Sequence, residues 1–352
     1  MGLKEISLRF KLSWIKISNF EFWPIWAVYF PVFFYWIYHA LVTRNFTYFT
    51  LVNPGIEYGG VFGESKINIL KKIPEEFLPK SLYFEAGETI EPIKAAIEKA
   101  GVTYPFVCKP DKGEMGHLVC KINNELELND YVSHYNGKLI VQEFIEYEIE
   151  LGVLFYRYPD GSQFGISSVV EKEFLHVIGN GHSTIEELLS VNHRGVLQIE
   201  PLKKRGFCDL NVVPKAGEKI LIEPIGNHCR GTMFLNGASL INEQLVHVFY
   251  GIAQNMIGFN YGRFDLKVKS IADLYNGKNI KIMEVNGVTS EPGHIYDPSM
   301  KLIRIYQDIF RQMDIVKNIA LMNQKHGFKP TTAKELIQVV RSHFKQKSLE
   351  LA

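Results

Sequence analysis

The stretch Lys109-Pro110-Asp111-Lys112-Gly113-Glu114-Met115-Gly116 sets a lysine at the end of an apolar run, ahead of a loop with two glycines three residues apart. Glycine lets backbone N–H groups approach an anion closely, so such a loop can fold over phosphate oxygens. The lysine adds a point charge to the same oxygens. This is not a Walker A loop: GxxxxGK[ST] is absent, and Gly63-Glu64-Ser65-Lys66 lacks the upstream glycine. A second group is Arg263-Phe264-Asp265, followed by Glu284-Val285-Asn286. Alternation along a strand puts Arg263 and Asp265 on one face, and Glu284 and Asn286 on one face. If the two strands are neighbours, three hard oxygen donors converge, a set that suits Mg²⁺ shared with a nucleotide's phosphates. A third group is Val141-Gln142-Glu143-Phe144 with Glu150, an apolar strand ending in polar groups that could meet a purine and a ribose. Taken singly these read as a hairpin loop, a solvated sheet face and a strand end. Their joint presence, in this order, points to phosphate-transfer chemistry.

The elements that must position them are readable from periodicity. A helix is expected over 89–100, capped by Thr89, with Ile93 and Ile97 on one face and Gly101 ending it. Strands are expected at 104–109 and 117–122 around the glycine loop, then a helix over 129–136 and a buried strand over 139–144. Residues 151–158 and 163–170 read as a hairpin turning at Asp160-Gly161. A short helix is expected over 184–191 and a longer one over 239–257, where Leu245, Val248, Ile252 and Met256 recur at helical spacing. Strands 263–268 and 280–285 follow, and 299–350 reads as helical. Hairpins interleaved with helices predict an α+β fold.

Bulk composition limits the function classes. The 352 residues allow two or three domains around a cleft. The formal net charge is +1, from 39 basic and 38 acidic side chains, so no global field favours nucleic acid. Cys108, Cys120, Cys208 and Cys229 form no CxxC, and the eleven histidines form no HExxH, so free thiols and no zinc site are expected.

Residues 22–42 carry no formal charge and are dense in Trp, Tyr and Phe. As a helix they would extend about 31 Å at ~1.5 Å per residue, against a hydrocarbon core of ~30 Å. Pro24, Pro31 and His39 interrupt the run, and its aromatic residues are spread rather than gathered at the ends. Lys4, Arg9, Lys11 and Lys16 before it would hold the N-terminus inside, and ATP chemistry after it must also be inside, which a single span cannot satisfy. A membrane-surface or re-entrant element is the preferred reading, with a buried helix or a homodimer contact as the alternative. No cleavage site for a signal peptide follows the run.

With these residues in hand, the chain from about Gly63 to Pro298 resembles the ATP-grasp superfamily, in particular D-alanine–D-alanine ligase and the ligase half of cyanophycin synthetase. Residues 104–116 resemble its strand, lysine and phosphate loop, and Ser65-Lys66 its earlier phosphate lysine. The segments 174–189 and 213–218, followed by Gly226-Asn227-His228-Cys229-Arg230-Gly231, resemble stretches of cyanophycin-synthetase-like ligases. The resemblance implies an ATP-grasp fold: residues 1–58 an aromatic N-terminal segment, 59–330 the grasp (59–103 leading in, 104–150 with the phosphate loop, 151–298 with metal and substrate groups), and 299–352 C-terminal helices. It implies ATP on Lys66, Lys109, Gly113, Gly116, Gln142, Glu143, Glu150 and Lys172. It implies Mg²⁺, with Mn²⁺ as an alternative, on Asp265, Glu284 and Asn286. Arg263, Lys109 and Lys172 would serve catalysis, and His228, Arg230, Gly293 and His294 would line the substrate side.

The implied reaction activates a carboxylate as an acyl phosphate and passes it to an amine, in the cytoplasm or at the inner face of the membrane. Its partners would be small-molecule acid and amine substrates. Two features depart from the family: the domain that usually precedes the grasp is reduced to residues 1–58, and the loop after Asn286 is longer. A D-alanine substrate therefore does not carry over. Glu291 and His294 are candidate bases by position alone. Competing readings are a nucleotide-binding module without ligation and a phosphotransferase.

Overall fold

The computed structural model describes residues 3–113, 116–206 and 208–350. Glu114 and Met115 of the glycine loop, and the side chains of Lys4 and Arg9, lie outside the described residues.

The chain opens with helices α1 (Leu3–Ser18) and α2 (Ile25–Val42), then the single-turn α3 (Lys66–Leu70). Strand β1 (Ser81–Phe84), helix α4 (Ile90–Lys99), strands β2 (Phe106–Pro110) and β3 (Cys120–Ile122), helix α5 (Glu125–His134) and strand β4 (Leu139–Glu143) build the first sheet. It is antiparallel, in the order β1-β4-β2-β3. Period two sorts its residues. Phe84, Phe106, Cys108, Leu139 and Val141 pack on Ile93 and Ile97 of α4 and Leu128 of α5. Lys109 and Gln142 point to the opposite, helix-free face, where Ile140 joins the core of the second sheet.

The second sheet begins with β5 (Ile149–Arg157) and β6 (Phe164–Glu173). An excursion follows: β7 (His176–Ile178), α6 (Ile185–Ser190), α7 (His193–Arg205) and β8 (Lys219–Leu221), in which β7 and β8 pair on their own. Then come β9 (Met233–Asn236), α8 (Glu243–Gln254), β10 (Tyr261–Val268), α9 (Ile271–Tyr275) and β11 (Ile280–Asn286). The sheet order is β11-β10-β5-β6-β9, antiparallel throughout. One face packs on Leu245, Phe249 and Ile252 of α8. The other buries Leu154, Tyr156 and Tyr261 under Ile315 and Ile319 of α10 (Leu302–Lys325) and Tyr48 and Leu51 of the N-terminal segment. Helix α11 (Ala333–Glu350) closes the chain.

Several boundaries differ from expectation for local reasons. The strand expected from 117 starts at Cys120, because Gly116 (φ 70°) and Leu118 (φ 55°) are left-handed. Asn124 caps α5, so that helix begins four residues earlier than the periodicity placed it. Thr89 precedes α4 without a side-chain cap bond, whereas Thr184 and Glu187 form a full capping box on α6. The helix expected over 239–257 is split, with a 3₁₀ turn at Ala238–Leu240 and the α-helix starting after Asn242. Helix α7 was not expected; Pro201 in its middle masks it. The region 59–103 is not separate, since β1 and α4 belong to the first sheet, and Glu150 belongs to the second sheet rather than to the phosphate-loop region.

The N-terminal segment is docked, not appended. Val28 and Val32 of α2 pack with Ile305 and Ile309 of α10, and buried His39 stands 3.2 Å from Asp314. Burial and nearby Lys317 lower the His39 pKa. The fully buried Asn53 side chain pins the segment to β10. Its amide donates to the carbonyls of Gly59 (3.0 Å) and Tyr261 (2.8 Å) and accepts from the backbone N–H of Asn260 (2.8 Å) and Tyr261 (2.9 Å).

Candidate active site

The pairing of β10 with β11 sets Asp265 opposite Glu284 and Arg263 opposite Asn286. The register slips between Asp265 and Leu266, whose partner is Ile282, so Met283 is an extra residue. This bulge brings Glu284 and Asn286 to the same side of the sheet as Asp265, while Ile282 and Val285 stay in the core. It also frees the Met283 carbonyl, which accepts from Lys109 Nζ at 2.8 Å. Lys109 reaches across from β2 of the first sheet and donates as well to Gln142 Oε1 at 2.9 Å. Burial pushes the Lys109 ammonium down to about 8, with Glu284 opposing the shift.

Asp265 is held between two cations. Lys172 on β6 lies 2.9 Å from its Oδ1, and Arg263 lies 3.0 Å from its Oδ2. Burial alone would raise the Asp265 pKa, but Arg263 and Lys172 outweigh it and hold the carboxyl at about 2. Lys172 also pairs with Glu150 at 3.0 Å and stays charged, its pKa raised by Asp265 and Glu150 against the pull of burial. Lys66 stands 3.5 Å from Glu284 and donates to the Gly113 carbonyl, bringing the start of α3 under the glycine loop. Asp111 makes that junction: its Oδ1 accepts from Ser65 Oγ (2.8 Å) and Ile67 N (2.9 Å), and its carbonyl accepts from Lys66 N (3.2 Å).

Four basic side chains, Lys66, Lys109, Lys172 and Arg263, thus border Asp265, Glu284 and Asn286. The donor set fits a hard divalent cation. Asp265 Oδ1 is buried without a hydrogen bond of good geometry, and Asn286 Nδ2 lies 3.1 Å from Asp265 Oδ2. No cluster of three His, Cys, Asp or Glu occurs among the described residues. Two carboxylates and an amide make no closed cage, and leave positions for phosphate oxygens and water, as Mg²⁺ prefers.

The remaining expected residues fall into place unevenly. Gly226 sits so close to Glu150 that a Cβ there would lie 2.1 Å from Oε1. Arg230 donates to the Gly116 carbonyl at 2.7 Å, so it bridges to the glycine loop. His228 lies among Phe22, Phe234 and Tyr296, with Nε2 3.5 Å from Glu21. Gly293 packs on Val170. Glu143 accepts from the backbone N–H of Lys80 at 3.1 Å, and Gln142 is already bonded to Ser81 and Lys109. His294 is not in the cleft. It is buried, with Nδ1 2.7 Å from Ser168 Oγ and Nε2 3.1 Å from Asp308, so both nitrogens are engaged and it has the surroundings of a structural histidine.

Beside Arg263, Glu291, a candidate base by position, is joined by residues not foreseen. Tyr29 of α2 and Tyr296 both donate to the Glu291 carboxylate, and Glu291 is near enough to Arg263 to raise its pKa alongside Asp265. Glu21 pairs with Arg194 of α7. No local signal marks Tyr29 or Glu21, since Glu291 and Arg194, their partners, are distant in sequence.

No protein-family model matches the chain. Its sequence is 30% identical over 187 residues to a formate-dependent phosphoribosylglycinamide formyltransferase of Saccharolobus solfataricus, covering 49% of this chain and 46% of that protein. The same enzyme of Sulfurisphaera tokodaii is 23% identical over 201 residues, covering 52% and 50%. The chain spans about half the length of the curated relatives it matches. Among solved structures, a D-alanine–D-alanine ligase of Bacillus anthracis aligns with a TM-score of 0.42 and 13% identity, covering 75% of this chain and 69% of the other. The VanG D-Ala:D-Ser ligase of Enterococcus faecalis gives 0.40 and 18%, covering 73% and 61%. The sheet of β1–β4 forms one jaw of the cleft and the five-stranded sheet the other, with Lys109 crossing between them.

Proposed function

We propose that this chain is an ATP-dependent carboxylate–amine ligase, working on small-molecule substrates in the compartment that supplies ATP. The observation that carries the reading is the convergence of four cations from four elements on the Asp265–Glu284–Asn286 edge. A carboxylate is a poor acyl donor because its leaving group would be oxide; transfer of the γ-phosphoryl to it supplies phosphate as the leaving group instead. Such transfer depends on positioning and charge neutralisation more than on covalent help from the protein. Lys66, Lys109 and Lys172 neutralise the phosphates in this reading. Asp265, Glu284 and Asn286 would hold Mg²⁺, which when bound would supply charge stabilisation on the phosphate oxygens. Arg263 faces the carboxylate and then the tetrahedral oxyanion. The glycine loop, tied by Arg230 to the opposite jaw, shields the acyl phosphate from water. The amine then displaces phosphate at the acyl carbon.

The test is ADP release dependent on both an acid and an amine, in a substrate screen with Mg²⁺. Asp265→Asn is expected to lower turnover roughly 10²-fold or more, as for loss of one preorganised electrostatic group. Turnover near wild type would remove Asp265 from the site. A stable phosphorylated product in place of an amide would replace ligation with phosphotransfer.

A further inference from the structure

Helix α2 has two unlike halves. At about 100° per residue, Val28, Val32, His39 and Ala40 fall on the side that packs on α10. Trp26, Phe30, Phe33, Phe34, Tyr38 and Leu41 fall on the other, and each is more than half exposed. That exposed arc covers about half the helix and holds no charged residue. In the sequence, exposed Lys16 of α1 precedes it and exposed Arg44 directly follows it, and Glu21 between the two helices is taken up by Arg194.

We propose that this exposed half of α2 lies on a membrane surface containing anionic lipid, which sets Glu291 in the loop after β11 close to the lipid–water boundary. The chemistry fits a surface helix: an apolar, aromatic face with no charged residue, and exposed Arg44 just past its end, long enough to reach headgroups. The helix is long and apolar enough to cross a bilayer. Spanning would strip Val28 and Val32 from α10 and break the contacts of His39 and Tyr35 with Asp314, so the helix lies along the surface instead. The link to the site is direct. Tyr29, which holds Glu291, is four residues from Phe33, and residues at that spacing are neighbours about 5–6 Å apart on a helix. The lipid-facing surface thus begins within one turn of the residue that holds Glu291, beside Arg263. On the ligase reading, on which this last step rests, the site suits an amphipathic substrate whose reacting group meets Arg263 while its apolar part stays in the lipid.

The experiment is flotation of the full-length protein with phosphatidylcholine vesicles, with and without phosphatidylglycerol. It is run beside the triple variant Trp26→Ser, Phe30→Ser, Phe34→Ser, whose changes avoid the packed side of α2. Wild type is expected to float with the phosphatidylglycerol vesicles, and the variant to lose at least ten-fold of its bound fraction at an unchanged urea midpoint. Wild type remaining soluble with both vesicles, or a variant that floats equally, overturns the proposal. So does a dimer that becomes monomeric in the variant while neither protein floats, because the face then belongs to a second copy of the chain. Calorimetry with Mg-ATP separates the two readings: absent nucleotide binding with flotation intact would remove the ligase and leave the docking.

Discussion

Lys109 shows how one residue's setting shapes the chemistry asked of it. Its ammonium is buried between Gln142 and the Met283 carbonyl, and burial brings its pKa down to about 8. Phosphate binding favours the charged form, so nucleotide binding must restore whatever protonation the empty site has lost. Mg-ATP affinity is therefore expected to be flat below pH 8 and to fall as pH rises above it, with proton uptake on binding near pH 8.5. Calorimetry in buffers of different ionisation heats measures both, and Lys109→Met should bind weakly and without that slope. Strand alternation makes two pairings legible, Arg263 with Asp265 and Glu284 with Asn286, while the bulge that brings the pairs to one side left no sign in the sequence. His294 was misjudged for the opposite reason: nearness in sequence to Asn286 says nothing about Ser168 and Asp308, which enclose it. Tyr29 and Glu291 meet only through the tertiary fold, and no spacing rule connects them.

At the scale of elements, the junction of α3 with β2 decides where Lys66 stands. A single-turn helix has little stability of its own. Here Asp111 accepts from Ser65 and Ile67 and so fixes the first turn beneath the glycine loop. Asp111→Ala leaves those buried donors unpaired and is expected to cost about 2–3 kcal/mol. It should also weaken Mg-ATP binding more than an equally destabilising change in α8, and urea unfolding with calorimetry compares the two. Elements with regular hydrophobic spacing, such as α4, α8 and the β5–β6 hairpin, could be read from sequence to within a few residues. Those set by a cap or a proline could not: Asn124 moved the start of α5, and Pro201 concealed α7.

For the whole molecule, the N-terminal segment is part of the body rather than an addition to it. Its residues pack under α10, pin to β10 through Asn53, and reach Glu291 of the loop after β11 through Tyr29. Composition revealed an unusual segment but not that half of it is covered, because an apolar run looks the same whether protein or lipid meets it. Asn53→Ala removes four buried hydrogen bonds and is expected to lower stability by about 3–4 kcal/mol. The loss should appear in the single urea transition of the whole chain; a separate early transition confined to Trp fluorescence would show the segment to be independently docked.

The extra residue at Met283 also governs how β11 can change in length. Ile280, Ile282 and Glu284 share one parity in the sequence, so an evenly laddered strand would turn Glu284 into the hydrophobic interior. The bulge supplies the half-step that corrects this. Loss of Met283 alone would leave an even ladder with Ile282 inward and Glu284 and Asn286 still at the cleft, but would remove the carbonyl that Lys109 grips.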